Sequence, residues 1–495
     1  MERLRLVLIA LTIGIALTGC TETAQQAAPV IVLPVTTTSD EARAQFMSGL
    51  YALDMARLID ARAYFEKATE IDPAFAYAYL NLANSANSLE EFTLNLGKAE
   101  EAASGVTREE QLLVEIARKG FEADLKGQLA TAQDLVEMAP ESPRALLILA
   151  GVQSLHNIHE EARQSIARAI ELAPTMAAAH MQAGNSYLFS EPRDLNKAEQ
   201  HMHRAVELAP REPIPPDLLG DVYRAQGQFE KARDAYTEAA KYSGDDGMPY
   251  QQRGHVNSFL GDYEAARAEY DESIAMARDN QAAIFGVYRA FVHVHAGDPT
   301  AAIEELKGLA ARIDNMDIPE PTGQKIFALG SAITIALHHR MVDEAEALIT
   351  DWSALMRAQA EQVGTDEFRR NRVSIIAYNE ALLAIKQGRF DTAVEKANEI
   401  ATLVEPDANP RKMEPVHEAR GTIALEQGNY EEAAEHFRQG NYRNTIYIKY
   451  NLAKALEGAG QTDEAMELYE DIANWGFNTV DLALTRKEAI EKTQK

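Results

Sequence analysis

The one thiol of the chain, Cys20, stands at the end of an apolar run near the N-terminus. A single cysteine closes no intramolecular disulfide, so the fold is not stapled. The other groups that could do chemistry are 12 histidines and 76 acidic side chains. Eight of the histidines fall in near pairs: His156/His159, His201/His203, His293/His295 and His338/His339. Residues two apart on a helix point to different faces, and only His156 and His159 can share one. Their setting, LHNIHEEA, is mostly polar and reads as a solvated turn, not as a metal site. His417-Glu418-Ala419-Arg420-Gly421 carries the first two residues of a His-Glu-x-x-His metal motif but lacks the second His. There is no phosphate-binding glycine loop and no Gly-x-Ser-x-Gly elbow. The carboxylates recur regularly, and no pair stands apart as an acid/base couple. The sequence therefore points to no catalytic residue, metal or cofactor.

The thiol has a better explanation. Met1-Glu2-Arg3-Leu4-Arg5 is a short basic start, and Leu6 to Leu17 is apolar but for Thr12 and Gly14. Twelve helical residues span about 18 Å, too short for a hydrocarbon core of about 30 Å. The segment reads as a signal peptide. Leu17-Thr18-Gly19-Cys20 resembles the lipobox of bacterial lipoproteins. That resemblance implies cleavage before Cys20, a diacylglycerol on its sulfur and an acyl chain on the new amino group. Several acyl chains give stable anchoring where one is reversible. Thr21, not Asp, follows the Cys, which by the sorting rule of Gram-negative lipoproteins implies the outer membrane.

Composition narrows the partners. There are 48 basic against 76 acidic residues, a formal charge of −28, and losing Glu2, Arg3 and Arg5 makes it one unit more negative. A nucleic-acid binder needs the opposite balance, as does simple adhesion to anionic lipid. Basic protein segments are the favoured partners. Residues 21–38, TETAQQAAPVIVLPVTTT, show no helical period and suggest an extended tether. Thr38 and Glu41 have the spacing of a capping box, so the folded part is expected to start there.

From there on the elements repeat. Residues 213–246 carry Leu219, Gly220, Tyr223, Gly227, Ala232, Tyr236 and Ala239. Residues 247–280 carry Gly254, Gly261, Ala266 and Tyr270, and 42–75, 143–176 and 177–212 show related sets. GQFEKARDAYTEAA (227–240), GDYEAARAEYDESI (261–274), GNYEEAAEHF (428–437) and GQTDEAMELY (460–469) resemble the tetratricopeptide repeat, a helix-turn-helix unit of about 34 residues. The resemblance implies an all-α fold, a right-handed superhelical solenoid of about 9–11 repeats. Tyr236, Tyr270 and Phe437 are expected to plug the gap to the next unit. Residues 74–140 and the proline-bearing stretches DNMDIPEPTGQK (314–325) and EPDANPRKMEP (405–415) break the step. The expected organisation is a signal peptide (1–19), lipidated Cys and flexible tether (20–39), a first array (40–315), a second array (316–477) and a capping helix (478–495).

In this family the first helix of each unit lines a concave surface, with its fifth, ninth and twelfth residues facing inward. By that resemblance the partner-binding candidates are Met181 and Asn185, then Asp217, Asp221 and Arg224, then Gln251 and His255, then Phe291. The fifth positions hold no Lys, so capture of an acidic C-terminal tail is not expected. The reading that follows is a non-enzymatic scaffold in the cell envelope, facing the periplasm and holding envelope proteins. The alternative is a carrier of apolar ligands beside a solute transporter, using Val287, Tyr288, Phe291 and Val294.

Overall fold

The structure, a computed structural model, describes residues 33–494 apart from positions 87, 88, 123, 245, 278, 279, 317, 319, 320, 408 and 410. The signal peptide, Cys20 and residues 20–32 of the expected tether lie outside the described residues. Among those described there are 25 α-helices and no strand.

The chain divides into two compact units, residues up to Pro249 and from Tyr250 on. In the first lie α1 (Asp40–Asp54), α2 (Leu58–Ile71), α3 (Ala76–Asn84), α4 (Leu89–Ala102), α5 (Arg108–Phe121), α6 (Leu125–Met138), α7 (Pro143–Leu155), α8 (His159–Leu172), α9 (Ala177–Phe189), α10 (Leu195–Leu208), α11 (Ile214–Ala225) and α12 (Phe229–Ala240). The second, which α13 opens, holds α13 (Met248–Leu260), α14 (Tyr263–Ala275), α15 (Gln281–His295), α16 (Pro299–Ile313), α17 (Pro321–His338), α18 (Val342–Val363), α19 (Asp366–Lys386), α20 (Phe390–Val404), α21 (Glu414–Glu426), α22 (Tyr430–Gln439), α23 (Ile446–Gly458), α24 (Thr462–Ala473) and α25 (Val480–Thr493). Consecutive helices pack as antiparallel hairpins, six in each unit, with α25 left over. The irregular stretch 76–138 holds two ordinary hairpins, so there are twelve pairs, one more than the upper expectation.

The two helices of a hairpin differ because their surroundings differ. In α11 every residue from Pro215 to Arg224 is buried, whereas α12 buries only Ala232, Ala235, Tyr236 and Ala239. The first helix is wrapped on all sides; the second shows an apolar stripe at spacings of three and four to its neighbours. The aromatic plugs pack inside their own hairpin, and Tyr270 also reaches the next one, sharing a core with Val292 of α15. The Tyr236 ring sits over Gly220, where a Cβ would come within 2.4 Å of it, and Tyr270 covers Gly254 likewise at 2.9 Å.

Three other boundaries differ from expectation. The cap of α1 is Ser39, whose hydroxyl accepts from the Ala42 N–H at 3.1 Å, so the helix starts one residue later than a Thr38 cap would set it. The chain ahead of it is docked over its described part. Leu33 is buried, the Thr36 N–H donates to Glu110 Oε1 (2.9 Å), and Arg43 donates to the carbonyls of Val35 and Thr37 (2.9 and 3.0 Å). No division falls near 315. Ile303, Ile313, Ile333 and Trp352 share one apolar core, and Pro321 begins a helix, where its missing N–H costs nothing.

Candidate functional site

The first unit closes on itself through polar bridges. Arg144, at the start of α7, makes a two-pronged bond to Asp54 at the end of α1 (3.0 and 2.7 Å). The Tyr51 hydroxyl donates to Glu212 (2.9 Å), just ahead of α11, and Arg57 lies 3.3 Å from the same carboxylate. Burial raises the pKa of Glu212, and burial together with the Glu212 charge pushes the Tyr51 hydroxyl up to about 12.

Five of the predicted residues belong to this unit. Met181 is buried and Asn185 half-buried on α9. Asp217, Asp221 and Arg224 recur at i, i+4 and i+7 on α11, so they share a face. All three are more than nine-tenths buried. Arg224 Nη2 donates to Asp221 Oδ1 (2.6 Å), and the Tyr236 hydroxyl donates to the same oxygen (2.8 Å). Asp217 Oδ1 has no hydrogen-bond partner among the described residues. Burial, and next the Asp221 charge, push the Asp217 carboxyl well above the usual carboxylate range, against the pull of Arg224. Asp221 is raised by burial, while Arg224 and Tyr236 oppose the shift.

The other three, Gln251, His255 and Phe291, belong to the second unit, and each is covered. What covers them includes the C-terminal helix. The sequence suggests a cap at the end of the array with a polar outer face. Instead, α25 packs against α15, α17 and α23 as well as against α24. It lies along the first helices, the inner face of this unit. Four consecutive residues, Leu482, Ala483, Leu484 and Thr485, are buried. A helix lying on one surface buries a stripe, whereas burial of four in a row means the unit wraps around it.

Polar side chains aim the helix. Asn478 Oδ1 accepts from His295 Nε2 (3.0 Å), and Asn478 Nδ2 lies 3.1 Å from His255 Nδ1 and 3.3 Å from the Tyr270 hydroxyl. That hydroxyl is 2.6 Å from His255 Nδ1, and Gln251 reaches His255 from the other side (2.7 Å). Burial pushes His295 down to about 4, so it is neutral. Asp481 accepts a backbone N–H from Tyr447 in the first turn of α23, whose own cap residue Thr445 makes no side-chain bond. Burial pushes Asp481 up to about 6. The Arg486 guanidinium stacks 5.0 Å over Phe259, the Tyr450 hydroxyl donates to Glu488, and Lys492 meets Glu457 at 2.5 and 2.7 Å.

The apolar stretch weighed for a carrier is part of this packing. Val287, Phe291 and Val294 share a core with Ala483 and Leu484, so α25 occupies the space an apolar ligand would need. A surface cleft of about 430 Å³ in the first unit is lined by Glu100, Glu115, Arg118 and Lys119, the wrong chemistry for an apolar cargo. His417 faces His436 (3.1 Å) and His180 faces His201 (3.2 Å), but no group of three or more metal-binding side chains converges among the described residues. Nor is any described helix long and apolar enough to cross a membrane.

Sequence reasoning missed Asn478, Asp481 and Arg486. The signal available was the run Leu482-Ala483-Leu484, too continuously apolar for a helix with one wet face.

Comparison with known proteins agrees with the hairpin geometry. Tetratricopeptide-repeat family models match residues 42–75, 217–246 and 249–280, and residues 129–177, 378–445 and 418–478. Anaphase-promoting complex subunit 3 of Schizosaccharomyces pombe is 24% identical over an alignment of 236 residues that covers 38% of this chain and 35% of that protein. The chain thus matches about a third of that relative's length. A tetratricopeptide repeat protein from Parabacteroides merdae is 18% identical, with a TM-score of 0.36 over 57% of this chain and 98% of that one. PilW, a type IV pilus biogenesis factor, is 15% identical, with a TM-score of 0.36 over 43% of this chain and 97% of that one. Hairpin geometry, turn glycines and family matches agree: the chain carries tetratricopeptide repeats, matched over residues 42–75, 129–177, 217–246, 249–280 and 378–478.

Proposed function

We propose that this protein is a non-enzymatic scaffold of the bacterial cell envelope, anchored through lipid on Cys20 in the outer membrane and facing the periplasm. Tetratricopeptide repeats mediate protein–protein interactions, and the observation that carries the reading is the array of twelve hairpins itself. The anchor rests on the basic start, the apolar run and Leu17-Thr18-Gly19-Cys20. The charge of −28 favours envelope partners with basic segments, whose affinity should fall as salt rises.

The test is a cross-linked affinity capture of the intact protein from its own envelope, read by mass spectrometry. One reproducible set of envelope proteins is expected. A stoichiometric small molecule in place of any protein would overturn the scaffold. Fractionation of a Cys20→Ala variant tests the anchor separately: it should leave the outer-membrane fraction, and unchanged fractionation would refute lipidation at that residue.

A further inference from the structure

Two hairpins, one in each unit, hold a pair of facing histidines in the same register. His180 is the fourth residue of α9 and His201 the seventh of α10; His417 is the fourth of α21 and His436 the seventh of α22. In both pairs the Nδ1 atoms meet, at 3.2 and 3.1 Å. The close contact inside each hairpin sets this register. A Cβ at Gly184 would come within 2.6 Å of Met202, and one at Gly421 within 2.9 Å of Phe437, the residues that follow His201 and His436. The hairpin does not ask for histidine here. The same two positions hold Pro216 and Ala235 in α11 and α12, and Tyr250 and Glu269 in α13 and α14.

The meeting atoms offer lone pairs. His180 Nε2 lies 3.3 Å from the Pro174 carbonyl, which can only accept, so that nitrogen carries the hydrogen and a neutral His180 turns a bare Nδ1 to His201. A backbone carbonyl on the far nitrogen is the usual support of a metal-binding imidazole. The His201 ring lies nearly parallel to Tyr187, at 10°. Burial lowers the pKa of His180, His201 and His417, which keeps these rings neutral, as metal binding requires. Ring centroids 5.5 and 5.3 Å apart set the nitrogens nearly in line, so one ring donates an N–H to the other. Two zinc–nitrogen bonds of about 2.0–2.1 Å at a tetrahedral angle need the nitrogens about 3.3 Å apart. A tilt of the rings suffices, and the displaced hydrogen moves to the other nitrogen of the donor ring. His180 is buried, whereas His201, His417 and His436 are half-buried, so each pair has a side open to solvent.

We propose that His180 with His201, and His417 with His436, form two zinc-binding sites, each pinning the two helices of one hairpin, with water in the remaining positions of the metal. Imidazole suits zinc, whereas magnesium and calcium take oxygen ligands. The inference does not depend on lipidation, on a protein partner or on where the protein resides.

The probe is zinc chloride, titrated calorimetrically into the metal-free full chain at neutral pH. Two equivalents should bind. His201→Gln should remove one and His436→Gln the other, and the double variant should bind none at the same concentrations. Zinc should also raise the thermal midpoint of the unmodified chain, by an amount that grows with its concentration, and leave the double variant unmoved. No binding to the unmodified chain, or undiminished binding to the double variant, would overturn the proposal. Should either variant fail to fold, labelling of the unmodified chain with diethyl pyrocarbonate decides instead. Zinc should slow modification of His201, His417 and His436 at least tenfold and leave His156 and His203 unchanged. Equal rates with and without zinc would refute both sites.

Discussion

The two units use the same module and finish it in different ways. Each has six hairpins, and in α11–α12 the first helix is wrapped while the second buries one stripe. In the first unit, polar bridges tie the first hairpin to the fourth and to the chain entering the sixth: Arg144 to Asp54, and Tyr51 and Arg57 to Glu212. In the second unit an extra helix fills the inner face and is held by Asn478, Asp481 and an aliphatic centre. A repeat array alone leaves its first helices open on one side, and here each unit solves that problem from its own sequence. Charge bridges cost desolvation and fix geometry. An inserted helix contributes apolar burial, through Ala483 and Leu484.

The largest effect that would break this contrast is at Arg144. The Arg144→Ala substitution leaves the largely buried Asp54 carboxylate without its guanidinium. Stranding one partner of such a pair costs about 3–5 kcal/mol. Denaturant unfolding should show the loss in the first unit, with the second unchanged. An equal loss in both would mean that the units do not melt separately.

Next comes the hairpin module. A methyl at Gly220 would meet the Tyr236 ring at 2.4 Å, and one at Gly254 would meet Tyr270 at 2.9 Å. Overpacking of this kind costs about 1–3 kcal/mol. Gly220→Ala should therefore destabilise the first unit more than Gly254→Ala destabilises the second. Thermal melts of the two variants give the order, and a reversed order would show that the Tyr236 ring yields more easily than the Tyr270 ring.

These contacts also mark what could be read in the sequence. The period of glycine, alanine and aromatic residues fixes hairpins, because each hairpin is local: Gly220 and Tyr236 are sixteen positions apart. Turn glycines such as Gly227 and Gly261 were legible because their φ of 72° and 80° suits glycine alone at no cost. The closures were not legible. Arg144 finds Asp54 across 90 positions and Glu212 finds Tyr51 across 161, and no local pattern encodes either. The prolines near 315 suggested a boundary because proline ends helices, but Pro321 starts one. The spacing picked out Asp217, Asp221, Gln251 and His255 on first helices, where the structure finds them buried. That they would be covered was not legible, since the cover includes a helix more than two hundred residues away from His255.

The inserted helix also gives the second unit its own pH response. Burial raises Asp481 to about 6 and Glu418 to about 7. A raised carboxyl contributes stability that is full below its unfolded pKa and is lost as pH rises through the folded value. His295 and His338, both lowered to about 4 by burial, act oppositely: their contribution is full above about 6.5 and is lost as pH falls toward 4. The two carboxyls and the two histidines therefore oppose each other over the same window, from about pH 4 to 7, and largely cancel. Asp481→Asn keeps an acceptor for the Tyr447 N–H and removes one titration. It should raise stability at pH 8 by about 1–2 kcal/mol, discounted for partial exposure, and do little at pH 3.5. Urea midpoints at the two pH values test this, and an equal gain at both would show that the carboxylate charge is not what opposes docking.

The smallest effect sharpens the contrast inside the first unit. Many of the turns between paired helices use a left-handed residue, and six of the described hairpins place glycine there, as at Gly227 and Gly428. The turn from α1 to α2 instead uses Ala56, at φ 54°. A Cβ in that conformation costs about 1–2 kcal/mol, and glycine returns part of the gain through the freedom of its unfolded chain. Ala56→Gly should therefore stabilise the first unit by about 0.5–1 kcal/mol. Two positions before it is Asp54, the partner of Arg144, so the strained turn is the same one that carries the closing bridge. If Ala56→Gly stabilises the unmodified chain but not an Arg144→Ala chain, the bridge and the turn are coupled. The strain is then held by the closure. Equal gains in both backgrounds would make the turn a purely local cost, independent of how the unit is closed.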